Sequence, residues 1–278
     1  MTQPLRKTKI VCTMGPNLFE KGLIKPLMLA GMDVARFNFS HDTHENHLKR
    51  FKEVCRIRDE LGLPVATMLD TKGPEIRIGT FAEHRVTLDA GQLFTLTTED
   101  VEGDETRVSV TYKDLPRDVK PGCAILIDDG LVGMTVERVT DTDVCCKVNN
   151  GGTISDKKGV NIPDAHLSMP FISPKDREDI LFGMEEGFDF IAASFVRSAA
   201  DVRELRRLLE ENGSAIRIIA KIENQEGVDN LAEILTAADG IMVARGDMGV
   251  EIDFTEIPVI QKDIIAQCQA AGKPVITA

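Results

Sequence analysis

The stretch that decides the fold is residues 217–247, RIIAKIENQEGVDNLAEILTAADGIMVARGD. Its two apolar runs, RIIAKIEN and DGIMVARGD, are typical of buried strands, and Val228–Ala237 between them is typical of a helix. The same alternation precedes it, where FDFIAASFV leads to a predicted helix at Ala200–Asn212. It also follows it, where Pro258–Ala271 leads to PVITA. Strands that alternate with helices predict a parallel sheet covered by helices.

The N-terminal part of the chain has the same alternation. KIVCTM leads to a predicted helix at Leu23–Ala30, and DVARFNFS leads to a longer one at His44–Leu61, before PVATMLDT. The joints carry glycine and proline, which commonly end helices. Three strands here and four in the C-terminal part give seven parallel strands. Periodicity leaves open whether they form an open sheet or most of a (β/α)₈ barrel.

Between about Lys72 and Asn161 the pattern changes to short alternating runs. RVTLDAG, FTLTTED, TRVSVTY, AILIDDGLVGMTVERVT and VCCKVNNGG are punctuated by Gly, Asp and Asn. Alternation of apolar and polar residues predicts antiparallel strands with one buried face. We therefore predict a small antiparallel β domain at residues 73–161. It is inserted into an α/β domain built from residues 1–72 and 162–278, which ends within its seventh strand.

The composition is typical of a soluble globular protein and argues against several other classes. The 278 residues include 33 Lys and Arg against 45 Asp and Glu, a formal charge of −12, which argues against broad nucleic-acid binding. No apolar run approaches the roughly 20 residues that span a bilayer, and the N-terminus has no signal-peptide pattern. The six cysteines are scattered without a C-x-x-C pair. We expect reduced thiols in a cytoplasmic protein with no membrane or nucleic-acid partner.

Polar side chains gather where the predicted strands end, which is the active face of barrel enzymes. In ARFNFSHD (35–42), Arg36, Asn38 and Ser40 alternate and so share one face of the strand. A cation, an amide and a hydroxyl on one face suit an oxygen-rich ligand, although Ser40 or Asp42 could instead cap the next helix. The motif LDTKGPEIR (69–77) adds oxygen ligands at Asp70 and Thr71.

Two further signals in these motifs are weaker. Arg77 could reach a phosphate, but a Gly-Pro turn beside charges is also common on protein surfaces. The series SHDTHENH places histidines at 41, 44 and 47, at the polar start of a predicted helix. We expect these histidines to be solvated, and only His41, directly after Ser40, lies near the other candidate residues.

The C-terminal motifs predict a divalent-metal site. Lys221 and Glu223 in AKIEN stand two residues apart on an apolar strand, so both point the same way. Buried charges of this kind are either paired with each other or functional. In ARGDMGVE (244–251), Gly246 permits a tight turn beside the carboxylate of Asp247. Two carboxylates, completed by water and phosphate oxygens, are typical of a Mg²⁺ site.

Together these motifs resemble those of the pyruvate kinase family. KIVCTMGP, ARFNFSHD, LDTKGPEIR, IDDGLV, NNGG, SDKKGVNIP, AASFVR, AKIENQEGV and ARGDMGVE follow that family's order and spacing over the whole chain. The resemblance implies a TIM-type (β/α)₈ barrel, incomplete here, with an inserted antiparallel β-barrel domain after the third strand acting as a lid. It also implies phosphoryl transfer from phosphoenolpyruvate to ADP, which gives pyruvate and ATP.

The resemblance also implies roles for single residues. Lys221 and Arg36 would be catalytic and would bind the substrate phosphate, and the backbone N–H groups of Gly246 and Asp247 would bind its carboxylate. Glu223 and Asp247 would bind Mg²⁺ or Mn²⁺. The implied K⁺ ligands are Asn38, Ser40, Asp70 and the carbonyl of Thr71, and the implied nucleotide contacts are Asn38, His41, Arg77 and Lys157. A glutamate at position 75 accompanies K⁺ dependence in this family.

The chain departs from the family where it stops, at GKPVITA (272–278). The family continues with a threonine near the enolate carbon, an eighth strand and a C-terminal regulatory domain, and its intact members are homotetramers. We therefore expect a fragment of a longer chain, with little activity by itself.

Two alternatives to the kinase stay open on the residues alone. One is a metal-dependent aldolase or lyase, which would share the Glu and Asp metal pair and an arginine. The other is a binding fragment without turnover. ATP formation from phosphoenolpyruvate and ADP, followed with and without K⁺, separates all three.

Overall fold

The computed structural model describes residues 7–163 and 165–278. Residues 1–6 and Asp164, which belong to the ranges of the predicted α/β domain, lie outside the described residues. The strands are β1 (Val11–Thr13), β2 (Val34–Asn38), β3 (Ala66–Asp70), β4 (Ile76–Arg77), β5 (Arg85–Leu88), β6 (Leu93–Thr97), β7 (Arg107–Ser109), β8 (Ala124–Ile127), β9 (Val132–Val139), β10 (Asp143–Val148), β11 (Gly152–Ser155), β12 (Gly159–Asn161), β13 (Phe190–Ala193), β14 (Arg217–Ile222), β15 (Gly240–Val243) and β16 (Val275–Thr277).

The five predicted helices are present to within a few residues, although the one predicted at Val228–Ala237 is divided in two. The sequence analysis did not predict the helices at 16–20, 115–118, 174–186 and 245–251. The helices are α1 (Pro16–Glu20), α2 (Ile24–Ala30), α3 (His44–Leu61), α4 (Leu115–Asp118), α5 (Pro174–Glu186), α6 (Ala199–Glu211), α7 (Gln225–Asp229), α8 (Leu231–Ala237), α9 (Arg245–Glu251) and α10 (Ile257–Ala270). The longest, α3, begins after Thr43, whose side chain accepts a hydrogen bond from the Asn46 N–H group, and ends at Gly62 with φ 61°. These are the cap residues that helix termini favour.

Seven parallel strands form one sheet in the order β1-β2-β3-β13-β14-β15-β16, which confirms the predicted three strands and four. Each strand is parallel to its neighbours, and helices connect successive strands. The sheet is curled in the manner of a TIM-type barrel. Among the described residues, β1 and β16 each pair with a single strand of this sheet. Because the strands are all parallel, their carboxyl ends lie together at one rim of the sheet.

Alternation along each strand separates two apolar layers. On β14, Ile218, Ala220 and Ile222 belong to the large core between the sheet and its helices. Ile219 belongs instead to a small inner cluster with Met68, Ala192 and Met242, from three other strands. Lys221 follows Ile219 on the inner face, so the barrel interior changes from apolar to charged at the carboxyl rim.

The segment that the sequence predicts as an inserted β domain forms a second sheet, in the order β4-β12-β8-β9-β10-β6-β7. A separate ribbon pairs β11 with β5. Most of these pairs are antiparallel, as predicted, but β6 and β7 are parallel. The nine residues between these two strands run back along the sheet, which simple alternation does not reveal. We refer to residues 76–161 as the inserted region; the exact domain boundaries stay a prediction.

Hydrogen bonds hold the connections between the inserted region and the barrel, and Ser168 also bonds Tyr112 and Asp118 of the inserted region. The Gly73 N–H group, just after β3, donates to Asp176 Oδ1 at 3.0 Å. A Cβ atom at Gly73 would lie 2.7 Å from the Phe195 ring, and its φ of 77° also favours glycine. At the other connection, Asn161 Nδ2 donates to Glu251 Oε1 at 2.9 Å. None of the helices in the described part of the chain is long and apolar enough to cross a membrane.

Candidate active site

A buried ion-pair network occupies the carboxyl rim of the barrel and is centred on Lys221. Its Nζ atom lies 2.9 Å from Glu223 Oε1, 3.1 Å from Asp70 Oδ1 and 2.7 Å from Ser194 Oγ. The two carboxylates are 1% exposed. Burial lowers the pKa of Lys221, but the carboxylates of Glu223 and Asp70 outweigh burial and hold that pKa above its ordinary value. The lysine is therefore a fixed positive charge.

Arg36 enters the same network from β2. Its Nε atom donates to Asp70 Oδ2 at 2.5 Å, and Nη1 donates to Thr13 Oγ1 at 2.8 Å. Asp70 thus binds Lys221 through one oxygen and Arg36 through the other. Two cations are held side by side by one buried carboxylate, an arrangement that suits a ligand with several negative oxygens.

Ser194 is a member of the network that the sequence analysis missed. It is 2% exposed, and its Oγ atom accepts from Lys221 and donates to the Thr71 carbonyl at 2.7 Å. Its N–H group donates back to Thr71 Oγ1 at 3.0 Å. A signal was present, because Ser194 directly follows β13 in AASFV. A lone serine at a strand end is too common to stand out.

Glu223 and Asp247 are the two candidate metal ligands. Glu223 Oε2 accepts from the Phe195 N–H group at 2.5 Å, and Phe195 has φ 56°, rare for an aromatic residue. Burial is the main cause of a raised pKa at Glu223, which reaches about 7. Lys221 opposes that shift and Asp247 reinforces it, so the two carboxylates sense each other. Asp247 itself is exposed, in the first turn of α9.

These two carboxylates fit a hard divalent cation of the Mg²⁺ type. Among the described residues, no three His, Cys, Asp or Glu side chains are grouped as metal ligands. Magnesium needs only one or two protein carboxylates when water and phosphate oxygens complete its shell. The donor set is oxygen only, which also matches that preference.

The proposed K⁺ ligands lie at or just after the ends of two neighbouring strands, β2 and β3. Asn38 and Asp70 are paired in the register of β2 and β3. Asn38 Oδ1 accepts from the Ser40 N–H group at 3.1 Å, and Asp70 and Thr71 are buried. Oxygen atoms of an amide, a hydroxyl, a carboxylate and a carbonyl suit a hard monovalent cation. Some of these oxygens already accept hydrogen bonds, so a cation would share them.

The candidate nucleotide residues fall in two places. Arg77 and Lys157 meet in the inserted region, where Arg77 Nη1 donates to the Lys157 carbonyl at 2.5 Å. Arg77 is also paired with Glu75, which lies 2.7 Å from Lys72 Nζ. His41 lies apart from them, exposed on the loop after β2. Of the three histidines expected to be solvated, the structure contradicts one, because His47 is 2% exposed.

Two cavities meet at Asp247. The larger, about 680 Å³, lies between the barrel and the inserted region, and its lining includes Arg77, Phe195 and Asp247. The smaller, about 270 Å³, is inside the barrel rim and is lined in part by Arg36, Lys221 and Asp247. The larger volume is in the range of small-molecule pockets, and the smaller one is close to the lower limit of that range.

The fold is that of an α/β barrel, and its carboxyl rim carries paired cationic side chains and buried carboxylates. The family profile described as "Pyruvate kinase, barrel domain" matches residues 5–278. The chain belongs to the pyruvate kinase family. The lyase alternative is therefore set aside.

Individual relatives agree with this assignment. A pyruvate kinase of Clostridium acetobutylicum is 49% identical over 276 residues, which cover 99% of this chain and 58% of the relative. One from Staphylococcus haemolyticus is 49% identical over 277 residues and 47% of its own length. The crystal structure of a pyruvate kinase from Cryptosporidium parvum superposes with a TM-score of 0.94 at 43% identity, over 98% of this chain and 57% of that one. The chain thus spans about half the length of these relatives.

Proposed function

We propose that this protein transfers the phosphoryl group of phosphoenolpyruvate to ADP, giving pyruvate and ATP. The observation that carries the proposal is the pairing of Lys221 and Arg36 on the buried carboxylate of Asp70. Both cations line the smaller cavity, so an anionic group there meets two preorganised positive charges. Phosphoryl transfer depends mainly on such positioning and charge stabilisation.

Lys221 is the group that would face the phosphoryl group in flight. Its contacts to Asp70, Ser194 and Glu223 hold the ammonium in place without a covalent role. Arg36 would bind the phosphate of the substrate before and during transfer. The first-turn N–H groups of α9, at Gly246 and Asp247, would bind the substrate carboxylate, because such groups have no partner within the helix.

Glu223 and Asp247 would hold Mg²⁺ or Mn²⁺. When bound, the divalent ion would supply positive charge that neutralises substrate oxygens. The Phe195 N–H group holds Oε2 of Glu223, and Lys221 is paired with Oε1. A metal ion would therefore share these oxygens with their present partners, which a carboxylate oxygen with two lone pairs permits.

Asn38, Ser40, Asp70 and Thr71 would bind K⁺. Such a cation would add a third positive charge beside Arg36 and Lys221. Asn38 with His41 from the barrel, and Arg77 with Lys157 from the inserted region, would contact the nucleotide. The inserted region would then act as a lid over the larger cavity, hinged at Gly73, where the contact with Asp176 is a single hydrogen bond.

We also propose a cytoplasmic location and self-association. All six cysteines are free thiols, as expected in a reducing compartment. The exposed side chains of Phe254 and Val259, at 77% and 70%, are apolar surface that a second copy would cover. Sedimentation velocity of the wild type beside Phe254→Ser tests the second point, since an unchanged mass would exclude this surface.

The function is tested by ATP formation from phosphoenolpyruvate and ADP, with Mg²⁺, in the presence and absence of K⁺. We compare the wild type with Lys221→Met and with Lys49→Met, a control on the exposed face of α3. Loss of a preorganised charge should lower kcat by about a thousandfold in the first variant alone. Absence of turnover in the wild type would leave the binding-only alternative.

A further inference from the structure

His47 is a buried histidine that contacts the residues on both sides of Ser40, a candidate K⁺ ligand. Its ring stacks on Phe39, with ring centroids 4.1 Å apart and planes 12° apart. Its Nε2 atom lies 2.8 Å from the His41 carbonyl oxygen. Phe39 and His41 are the two chain neighbours of Ser40. One imidazole therefore contacts the chain before and after this residue.

The hydrogen bond fixes the tautomer of the ring. A carbonyl oxygen only accepts, so Nε2 must carry the proton and donate it to His41. Among the described residues, the Nδ1 atom of His47 is a buried polar atom without a hydrogen-bond partner. Burial lowers the pKa of His47, which keeps the ring neutral. The ring therefore donates one hydrogen bond from Nε2, while its Nδ1 atom stays unpaired.

An unpaired buried nitrogen needs an explanation, because leaving a buried polar atom without a hydrogen-bond partner destabilises the folded protein. An apolar ring such as phenylalanine would fill the same place beside Phe37 and Phe39 without that cost. What phenylalanine cannot supply is the N–H group for the His41 carbonyl. The hydrogen bond to the loop after β2 therefore explains why a histidine stands here, and core packing does not explain it.

The other end of this loop is anchored as well. Asp42 has φ 75° and accepts from Asn46 Nδ2 at 2.6 Å, and it is paired with Arg50. These partners, like His47, come from the first two turns of α3. The loop between β2 and α3 is thus held at Asp42 by two side chains, whereas His41 is held by His47.

We propose that His47 is a positioning residue, whose Nε2–H group holds the His41 carbonyl and thereby places Ser40 and His41 for cation and nucleotide binding. The inference rests on the proposed function, since it assigns a purpose to residues of that site. His47 is separated from any ligand by the loop itself. It would act on affinity for K⁺ and ADP, with no direct part in phosphoryl transfer.

Two substitutions separate the donor from the ring. His47→Phe keeps an aromatic ring on Phe39 and removes the N–H group, whereas His47→Gln keeps an N–H group at a similar distance and removes the ring. His44→Phe is the matched control. His44 stacks on Phe182 and donates to Asp179 at 2.6 Å, so it packs beside the same core without bonding the loop.

Two measurements are made on all four proteins. Hydrogen–deuterium exchange reports the order of the backbone amides of residues 40–43, and it needs no activity. Steady-state kinetics report the half-saturating K⁺ concentration and the KM values for ADP and phosphoenolpyruvate. We expect His47→Phe to speed exchange at residues 40–43. It should also raise the K⁺ requirement and the KM for ADP about tenfold, as loss of an outer partner of a metal ligand does.

In the expected result, the KM for phosphoenolpyruvate stays within twofold, His47→Gln recovers both readouts, and His44→Phe matches the wild type. Wild-type exchange and K⁺ requirement in His47→Phe would overturn the proposal. So would equal impairment of His47→Gln, because the ring rather than the donor would then be decisive, or equal impairment of His44→Phe, which would indicate general destabilisation. A wild type without turnover would refute the proposed function, and exchange alone would then decide whether His47 orders the loop.

Discussion

The barrel and the inserted region differ in what they bury. Eleven polar or charged residues are buried in the described chain, and Thr97 is the one among them that lies within residues 76–161. The core of the inserted region consists otherwise of apolar side chains such as Phe94, Ile125 and Met134. The barrel, in contrast, buries Asp70, Lys221 and Glu223 together at its rim.

The buried residues of the two regions therefore contribute to different properties of the protein. Burying a charge costs several kcal/mol even when it is paired, and well-packed apolar residues of similar volume would often be at least as stable. A charged rim is therefore poor as a stabilising device and useful as a preorganised electrostatic environment. Substitutions in the inserted core should act on folding, whereas substitutions at the rim should act on binding and turnover.

The largest expected effect is a loss of stability when the core of the inserted region is disrupted. Phe94 is fully buried in the inserted region, so Phe94→Ala leaves a cavity and should lower the free energy of unfolding by about 3–5 kcal/mol. Leu93→Ala is the control, because Leu93 is 61% exposed and should change stability by less than about 0.5 kcal/mol. Urea unfolding gives both values. Equal effects at the two positions would contradict a tightly packed core.

At the rim, a substitution of an exposed carboxylate should leave folding almost unchanged. Asp247→Asn removes one of two proposed metal ligands, and we expect Mg²⁺ affinity to fall about a hundredfold by calorimetry, because a charged contact is lost. Asp141→Asn, in an exposed turn of the inserted region, removes the same charge and should leave affinity unchanged. If both variants bind Mg²⁺ like the wild type, Asp247 is not a ligand.

A smaller effect is expected from the residue that links Lys221 to Thr71. Ser194→Ala removes the hydroxyl 2.7 Å from Lys221 Nζ and should lower kcat about tenfold, the equivalent of one hydrogen bond of roughly 1.4 kcal/mol. The KM for ADP should not move. Ser214→Ala, outside the site, serves as control. A change confined to thermal stability would make Ser194 a packing residue and weaken the contrast between the two regions.

The smallest expected effect concerns the junction of the two regions. Glu75 is paired with Lys72 and Arg77, and Glu75→Lys replaces its negative charge with a positive one near the proposed K⁺ site. The requirement for K⁺ should relax by about two- to fivefold, as for a partly exposed charge. Glu83→Lys repeats the charge change on the exposed surface of the inserted region. Titration of activity with K⁺ compares them, and an unaltered requirement in Glu75→Lys would refute the charge argument.

Much of the fold could be read along the chain. The helix α3 has the predicted ends and the predicted stop signal at Gly62, but its N-cap is Thr43 and not Ser40 or Asp42. The seven parallel strands follow from alternation with helices. The parallel pairing of β6 and β7 could not be predicted in this way, since alternation describes the two faces of a strand and says nothing about the direction of its partner.

Some residues of the candidate site could likewise be predicted from the sequence, and others could not. Arg36 and Asn38, or Lys221 and Glu223, stand two residues apart, so their shared face is a local property of a strand. The sequence analysis missed Ser194 and wrongly expected His47 to be solvated. Their significance depends on contacts with residues 27 and 6 positions away, across a sheet and around a helix turn.

The sequence by itself determined the period of each element, the apolar faces and the chemical types available at each strand end. These depend on covalent geometry and on neighbours within a few residues. Only the tertiary structure decided that Asp70 binds both Arg36 and Lys221, because that contact requires the strand order β2-β3-β13-β14 and its register. Order and register result from packing the helices on the curled sheet, a balance summed over the whole core that no single motif contains.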